Sequence, residues 1–155
     1  MCPRIFKKNN AKDIIIIFLL AILIIPSFLL SVQAVEHTIL RIDPSTQVVS
    51  TGTSFQVTVY CIPGQRIKAF EFTITYNPKL LRANSVTEGD IFGDYKTFFN
   101  NGSIDNNAGT INNIYGLILG PDSVSSSGTF ISISFTAKST LGSSAISLKN
   151  IGVTN

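Results

Sequence analysis

A ten-residue stretch, Ala69–Pro78, constrains the fold of this chain more than any other segment. It reads A-F-E-F-T-I-T-Y-N-P, and small or polar residues alternate with large apolar ones. The apolar side chains are Phe70, Phe72, Ile74 and Tyr76. Because side chains of a β-strand alternate between its two faces, this pattern predicts a strand with one buried and one exposed face. Asn77-Pro78 ends the strand, since proline has no N–H to donate and disfavours helix before it.

Short segments of similar character fill the rest of the chain after residue 35. They are separated by turn residues and cover 37–42, 55–62, 79–86, 95–99, 110–119, 129–138 and 145–149. The segment 110–119 changes phase at Asn112-Asn113, which predicts a bulge. The Asn-, Asp- and Gly-rich segment 100–109 predicts a turn around a short edge strand. With no helical period sustained for three turns, we predict an all-β fold, an antiparallel β-sandwich of jelly-roll topology with eight or nine strands.

The first 34 residues form a separate segment. Basic residues dominate residues 1–13, an apolar run follows over 14–30, and Val32-Gln33-Ala34 offers small residues before a cleavage point. This order is typical of a secretory signal peptide. The alternative is an uncleaved membrane anchor over residues 14–30, because about 17–25 apolar residues span a bilayer. Both alternatives predict that residues 35–155 form one exported domain, either extracellular or at the cell surface.

Charge and reactive residues exclude several functions for the exported part. Residues 1–34 hold four of the 12 basic and one of the nine acidic residues, so the remainder is formally neutral and lacks the basic footprint of a nucleic-acid binder. His37 is the chain's one histidine, which leaves nucleophilic catalysis without a base inside the domain. Cys61 has no second cysteine in the exported part to pair with. It lies on the same side of its predicted strand as alternating apolar residues, so we expect a buried, inert thiol. We predict a non-catalytic domain with no cofactor and no metal.

Exposed aromatic residues leave a polysaccharide as an alternative ligand. Tryptophan is absent, and the aromatics that the alternation does not assign to the core are Tyr60, Tyr95, Phe98, Phe99, Tyr115 and Phe130. Phe98, Phe99 and Tyr115 are the candidate glycan contacts, although neighbouring strand residues face opposite ways and at least one of Phe98-Phe99 should be core. Asn101-Gly102-Ser103 fits an N-glycosylation acceptor in a predicted loop.

The order of the motifs resembles that of a cohesin domain. Six segments carry the resemblance: Gly52–Val59 (G-x-x-F-x-V-x-V), Ile67–Pro78, Leu81–Phe92 (L-x-x-x-x-V-x-x-G-x-x-F), Gly109–Ile111, Gly128–Lys138 and Gly142–Asn150. Together they extend over nearly all of residues 35–155. The resemblance implies a nine-stranded jelly roll, related to cellulose-binding modules, that binds dockerin domains in assemblies such as those that degrade polysaccharides. A carbohydrate-binding module of the same superfamily and a structural spacer in a surface protein are the alternatives.

The resemblance also implies where a dockerin would bind. In the family the contacts lie on the outward face of one sheet, which includes the strand similar to Ile67–Tyr76. Ala69 and Glu71 then occupy contact positions, and Thr73 is a neighbour on the same face. Ala69 stands where many cohesins have Asn, and Asn77 where they have Asp. The family's last strand would begin about where this chain stops, so we expect the sandwich either to lack it or to leave that edge open to a partner strand.

Overall fold

The computed structural model describes residues 37–155, and these form eight β-strands. The strands are β1 (Ile39–Asp43), β2 (Ser54–Ile62), β3 (Ala69–Thr75), β4 (Leu81–Glu88), β5 (Thr97–Asp105), β6 (Thr110–Ile118), β7 (Gly128–Ala137) and β8 (Ser147–Thr154). The predicted signal peptide or membrane anchor, residues 1–34, lies outside the described residues. Within residues 37–155, nothing helical has the length and apolar character of a membrane span.

The eight strands form two four-stranded sheets. Sheet one has the order β1-β2-β7-β4, and sheet two has the order β5-β6-β3-β8. Every pair within the sheets is antiparallel. The chain passes between the sheets at most of its connections, because each strand buries one face and needs the other sheet to cover it. The predicted all-β, antiparallel sandwich is confirmed.

The core lies between the sheets and is centred on phenylalanine rings. Phe70 of β3 stacks on Phe130 of β7 with ring centroids 4.2 Å apart, and it stacks on Phe72 at 5.4 Å. Phe92, from the turn after β4, packs against Phe130 at 6.0 Å. Such aromatic pairs add specific contacts to the burial of apolar area. The inward positions that the alternation of Ala69–Pro78 predicts are therefore the ones that join the two sheets.

Phe130 corrects one prediction. Its position in the alternation of β7 left it outside the predicted core, yet its side chain is fully buried together with that of Ile131. The β2–β7 ladder changes register between Val59 and Tyr60, so that Val59 pairs with Ile131 but Tyr60 pairs with Thr129. An irregularity of this kind shifts the phase of a strand and lets two consecutive side chains face inward.

Strand β5 corrects a second prediction. The sequence predicts a short strand over 95–99 and then a turn around a short edge strand over 100–109, whereas one continuous strand, β5, runs to Asp105 and only residues 106–109 turn. β5 is an edge strand of sheet two, and β6 pairs with it along its whole length. Pairing in the sheet thus overrides the low strand propensity of Asn100, Asn101 and Gly102.

Asn106 closes one side of the sandwich from the β5–β6 turn. Its amide nitrogen donates to the Ala83 carbonyl at 3.0 Å, and its amide oxygen accepts from the Ala83 N–H at 2.7 Å. The same oxygen accepts from the Tyr76 hydroxyl at 2.8 Å. Asn106 therefore pairs with the free edge of β4 as a neighbouring strand would and ties it to sheet two.

Candidate functional site

The outward face of sheet one is a hydroxyl-rich surface whose polar groups bond mainly to one another. Ser54 and Thr136 share a hydrogen bond of 3.0 Å across β2 and β7. A bulge in β4 between Ala83 and Ser85 leaves Asn84 over β7, where its amide donates to Thr136 Oγ1 at 2.9 Å and to Ser134 Oγ at 3.3 Å. These contacts satisfy hydroxyl and amide groups in the middle of the face, while at its β1–β2 edge the paired side chains of Ile39 and Ile62 are exposed.

The outward face of sheet two is built differently, from aromatic and aliphatic side chains beside isolated polar ones. Directly paired residues share a face, so Phe98 of β5, Leu117 of β6 and Ala69 of β3 form one transverse row. Tyr115 lies in the next row, and its ring stacks on that of Phe98 with centroids 6.0 Å apart and planes 21° from parallel. Phe98 remains 50% exposed. We call Phe98, Tyr115 and Leu117 the aromatic patch.

Two other predicted residues, the glycan contact Phe99 and the glycosylation site Asn101, do not belong to this patch. Phe99 faces inward and packs against the core, as strand alternation requires when Phe98 faces outward. Asn101 is exposed, but it lies within β5 opposite Ile114 rather than in the loop that the sequence predicts. Of the three candidate glycan contacts, Phe98 and Tyr115 therefore share the outer face and Phe99 does not.

Glu71 occupies the centre of sheet two, between Tyr115 of β6 and Gly152 of β8. Its side chain lies against Gly152, because a Cβ built on that glycine would come within 2.9 Å of Glu71 Cγ and Oε1. Any larger residue at 152 would displace the carboxylate, so the glycine is needed for space. Ala69 and Thr73 flank Glu71 on the same face, and the three predicted partner-binding residues are therefore neighbours of the aromatic patch.

A transverse crease crosses sheet two beside Glu71. Asn113 of β6 and Asn150 of β8 have left-handed backbone angles, with φ of 58° and 50°. At these points both neighbours of β3 insert one extra residue, next to Thr73. Gly102 of β5, with φ of 79°, lies at the same level as Asn113 in the β5–β6 ladder. Asn and Gly tolerate this conformation best, so the crease is encoded in the sequence, and the predicted bulge at Asn112-Asn113 is confirmed.

The crease opens a depression of about 300 Å³ in the outer face, which we call the notch. The side chains around it are those of Glu71, Thr73, Asn113, Tyr115 and Asn150. Among residues 37–155, one side-chain hydrogen bond reaches these residues, from Asn100 Nδ2 to the Asn113 carbonyl at 2.9 Å. The notch therefore presents a carboxylate, two amides and two hydroxyls that residues 37–155 leave free for a ligand.

Reactive groups outside this face have structural surroundings. Cys61 is completely buried, and burial raises the pKa of its thiol to about 11, which keeps it protonated and unreactive. Backbone N–H groups of Ala108 and Asn107 donate to Asp105 and lower the pKa of its carboxyl while they shape the β5–β6 turn. Within residues 37–155, no three His, Cys, Asp or Glu side chains gather where a metal ion could bind.

Sequence reasoning missed part of this surface. Leu117 and Asn150 were not singled out, although both share the face with Glu71 or line the notch beside it. The alternation along β6 could have identified Leu117, because residues two positions apart on a strand face the same side and Leu117 is two positions after Tyr115. No comparable signal exists for Asn150, since its place beside Thr73 depends on the pairing of β8 with β3.

Several solved structures that match this fold are cohesin modules. The sixth cohesin of scaffoldin B from Acetivibrio cellulolyticus, solved in complex with a Cel5 dockerin mutant, is 25% identical, with a TM-score of 0.54 over 73% of this chain and 82% of that one. The second type II cohesin of the ScaA scaffoldin from the same organism is 14% identical, with a TM-score of 0.58 over 77% and 73%. A cohesin from a family 33 glycoside hydrolase of Clostridium perfringens is 15% identical, with a TM-score of 0.56 over 78% and 84%.

Sequence comparison leads to the same family. No curated protein matches the chain. The sequence model of the cohesin domain, however, matches residues 41–155, from the middle of β1 to the end of the chain. This match includes nearly the whole sandwich and every residue of the aromatic patch and the notch. The chain belongs to the cohesin domain family.

Proposed function

We propose that this chain is an exported, non-catalytic cohesin module that binds a dockerin-type domain and so joins proteins into an assembly outside the cell or at its surface. The interface is the outward face of sheet two, with Ala69, Glu71 and Thr73 at its centre. The scaffoldin B cohesin to which this chain is similar was solved with a dockerin bound, which supports a partner of this class. The similar cohesin from a family 33 glycoside hydrolase supports a setting among enzymes that cleave glycosidic bonds.

The contrast between the two outer faces carries the proposal. Sheet one offers hydroxyl groups that bond to one another and, at its β1–β2 edge, the exposed pair Ile39 and Ile62. Sheet two offers exposed aromatic side chains beside a carboxylate that residues 37–155 leave unpaired. Binding surfaces of proteins commonly combine aromatic anchors with a polar surround. Phe98 and Tyr115 supply such anchors, and Glu71 supplies a charged group that can set orientation.

A binding assay with matched charge variants tests the proposed interface. The full chain, in non-ionic detergent because of its apolar leader, is titrated against each dockerin domain encoded in the source genome. Glu71→Arg places a bulky cation at the centre of sheet two, and Gln56→Arg places the same cation on the exposed face of sheet one. We expect Glu71→Arg to weaken binding by at least about 2 kcal/mol, the loss typical of a hot-spot residue, and Gln56→Arg to leave it unchanged.

Two results would contradict the proposal. If no dockerin domain binds the folded chain, the module function is wrong. If one binds and Glu71→Arg leaves its affinity unchanged, the interface lies elsewhere on the sandwich.

A carbohydrate ligand is the second candidate, favoured by the nearly parallel rings of Phe98 and Tyr115 on one face. Exposed aromatic rings on a sheet are a common platform for sugars, and the notch beside them offers hydrogen-bonding groups. Retention of the chain on insoluble cellulose or chitin, lost in Tyr115→Ala, would support this function. Passage through both materials without retention would count against it.

A further inference from the structure

We propose that the notch is the specificity-determining part of this interface and that it receives the guanidinium group of an arginine on the docking partner. This inference rests on the proposed function and adds to it the chemistry of one partner residue. It assigns a binding role to Asn113 and Asn150, which the sequence marks only as part of a predicted bulge and as the end of a cohesin-like segment.

Charge selects a cation as the occupant. Among residues 37–155, Glu71 is the one charged side chain that lines the notch, and no cationic side chain lines it with Glu71. Lys149 of β8 pairs directly with Thr73 and is exposed on the same face, but it lies beside the notch and does not line it. A carboxylate in this position would be left unpaired and partly desolvated when a partner covers the face, so a matching cation in the partner offsets that cost.

The other lining groups favour arginine over lysine. The planar guanidinium carries five N–H donors, and the amide oxygens of Asn113 and Asn150 and the hydroxyl of Thr73 can accept from those that do not reach Glu71. Tyr115 borders the same space, and guanidinium groups stack on aromatic rings. An ammonium group, with three donors and a strong hydration shell, matches fewer of these acceptors.

The notch is also held in shape before any partner arrives. Bulges in both neighbours of β3 fix the two asparagines, and Gly152 leaves room for the Glu71 carboxylate to lie against the sheet. A site whose groups are positioned in the free protein loses less conformational entropy on binding. Gly152 is therefore a positioning residue for Glu71.

The direct test uses small probes, and it does not require that a dockerin partner be known. The full chain, labelled with nitrogen-15 in detergent, is titrated with Nα-acetyl-arginine amide while NMR spectra report the side-chain amides of Asn113 and Asn150. Nα-acetyl-citrulline amide, which has nearly the same shape without the charge, and Nα-acetyl-lysine amide are the matched probes. We expect both asparagine amides to shift with the arginine probe, less with the lysine probe, and not with the citrulline probe.

Variants of the notch complete the test. Glu71→Gln keeps the size of the side chain and removes its charge, and we expect it to weaken the arginine probe by about tenfold or more. Thr73→Arg places a competing guanidinium at the notch and should abolish the shifts, whereas Thr58→Arg, on the outward face of sheet one, should not. A citrulline response equal to that of arginine, or shifts confined to other regions, would overturn the proposal.

The failure of this inference can be distinguished from failure of the proposed function. A dockerin domain that binds the chain with the same affinity after Glu71→Gln and Thr73→Arg would leave the module function intact and exclude the notch from the interface. A response to the arginine probe without binding of any dockerin domain would support the notch and contradict the choice of partner.

Discussion

The outer faces of the two sheets differ in how their polar side chains are used. On sheet one, Ser54, Asn84 and Thr136 bond across β2, β7 and β4, so the middle of the face is polar and its groups are satisfied. On sheet two, Phe98 is half exposed, and residues 37–155 leave the Glu71 carboxylate, which lines the notch, unpaired. Both sheets cover the same core, and both have strands with one buried face. The outward side of a strand can therefore serve stability, where its polar groups bond to one another, or recognition, where they remain free for a partner.

We expect the largest effect on stability from substitutions on the inner faces, where both sheets contribute buried rings to one core. Phe72→Ala in sheet two and Phe130→Ala in sheet one each remove a fully buried ring from the same aromatic cluster. We expect each variant to lower the free energy of unfolding by about 3–5 kcal/mol, measured by urea denaturation. If one variant cost less than about 1 kcal/mol, the core would not be shared equally between the sheets.

The next effect should separate the faces in binding rather than in stability. Tyr115→Ala removes the ring that stacks on Phe98 and borders the notch, and we expect a loss of about 2 kcal/mol in the affinity for a dockerin domain. Calorimetric titration measures that loss. Tyr60→Ala, which removes an aromatic ring from sheet one, is the matched control and should bind as the parent does. Equal losses for the two variants would remove the distinction between the faces.

A smaller effect should appear in stability on sheet one alone. Asn84→Ala removes the amide that donates to Thr136 and Ser134, and we expect the free energy of unfolding to fall by about 1 kcal/mol without a change in binding. Gln56→Ala, an exposed neighbour on the same face, controls for strand propensity. Reduced dockerin affinity in Asn84→Ala would show that sheet one also takes part in recognition.

The smallest effect concerns pH and the inner face of sheet one. The pKa of Cys61 is about 11 in the folded protein because the thiol is buried, whereas its ordinary value is 9.0. The raised pKa means that the unfolded chain releases its thiol proton first, so this contribution to stability is complete below pH 9 and is lost as pH rises toward 11. At pH 9.5 we expect a loss of about 0.8 kcal/mol relative to pH 7. Denaturation of Cys61→Ala at both pH values should lack this component, and an equal loss in the variant would assign the pH dependence to other groups.

The alternation of side chains along each strand accounts for most of the buried and exposed positions that could be predicted. The alternation of Ala69–Pro78 correctly places Phe70, Phe72 and Ile74 in the core and Glu71 outside it. The alternation gave wrong predictions where the pairing between strands could not be foreseen. Phe130 is buried because the β2–β7 pairing changes register, and β5 runs through an Asn- and Gly-rich segment because β6 pairs with it throughout. Both errors arise from pairing with a partner strand, which local propensity does not contain.

The candidate site divides in the same way. The alternation along one strand, together with the resemblance to cohesins, predicted Ala69, Glu71 and Thr73 as contact residues. The break in the alternation at Asn112-Asn113 predicted a bulge. Tyr115 approaches Phe98 across two consecutive strands, β5 and β6, whereas Asn150 comes beside Thr73 through the pairing of β8 with β3, which are distant in the sequence. Each of these contacts depends on which strands are neighbours in sheet two.

The sequence by itself determined the fold class, the buried residues of β3 and the family, since these depend on periodicity and on motif order along one chain. Only the tertiary structure decided that the predicted protein contacts and two of the three predicted glycan contacts lie on one face, with a notch between them. The physical reason is that alternation assigns a side chain to one side of its strand, whereas the neighbours on that side are set by the order and register of strands from elsewhere in the chain.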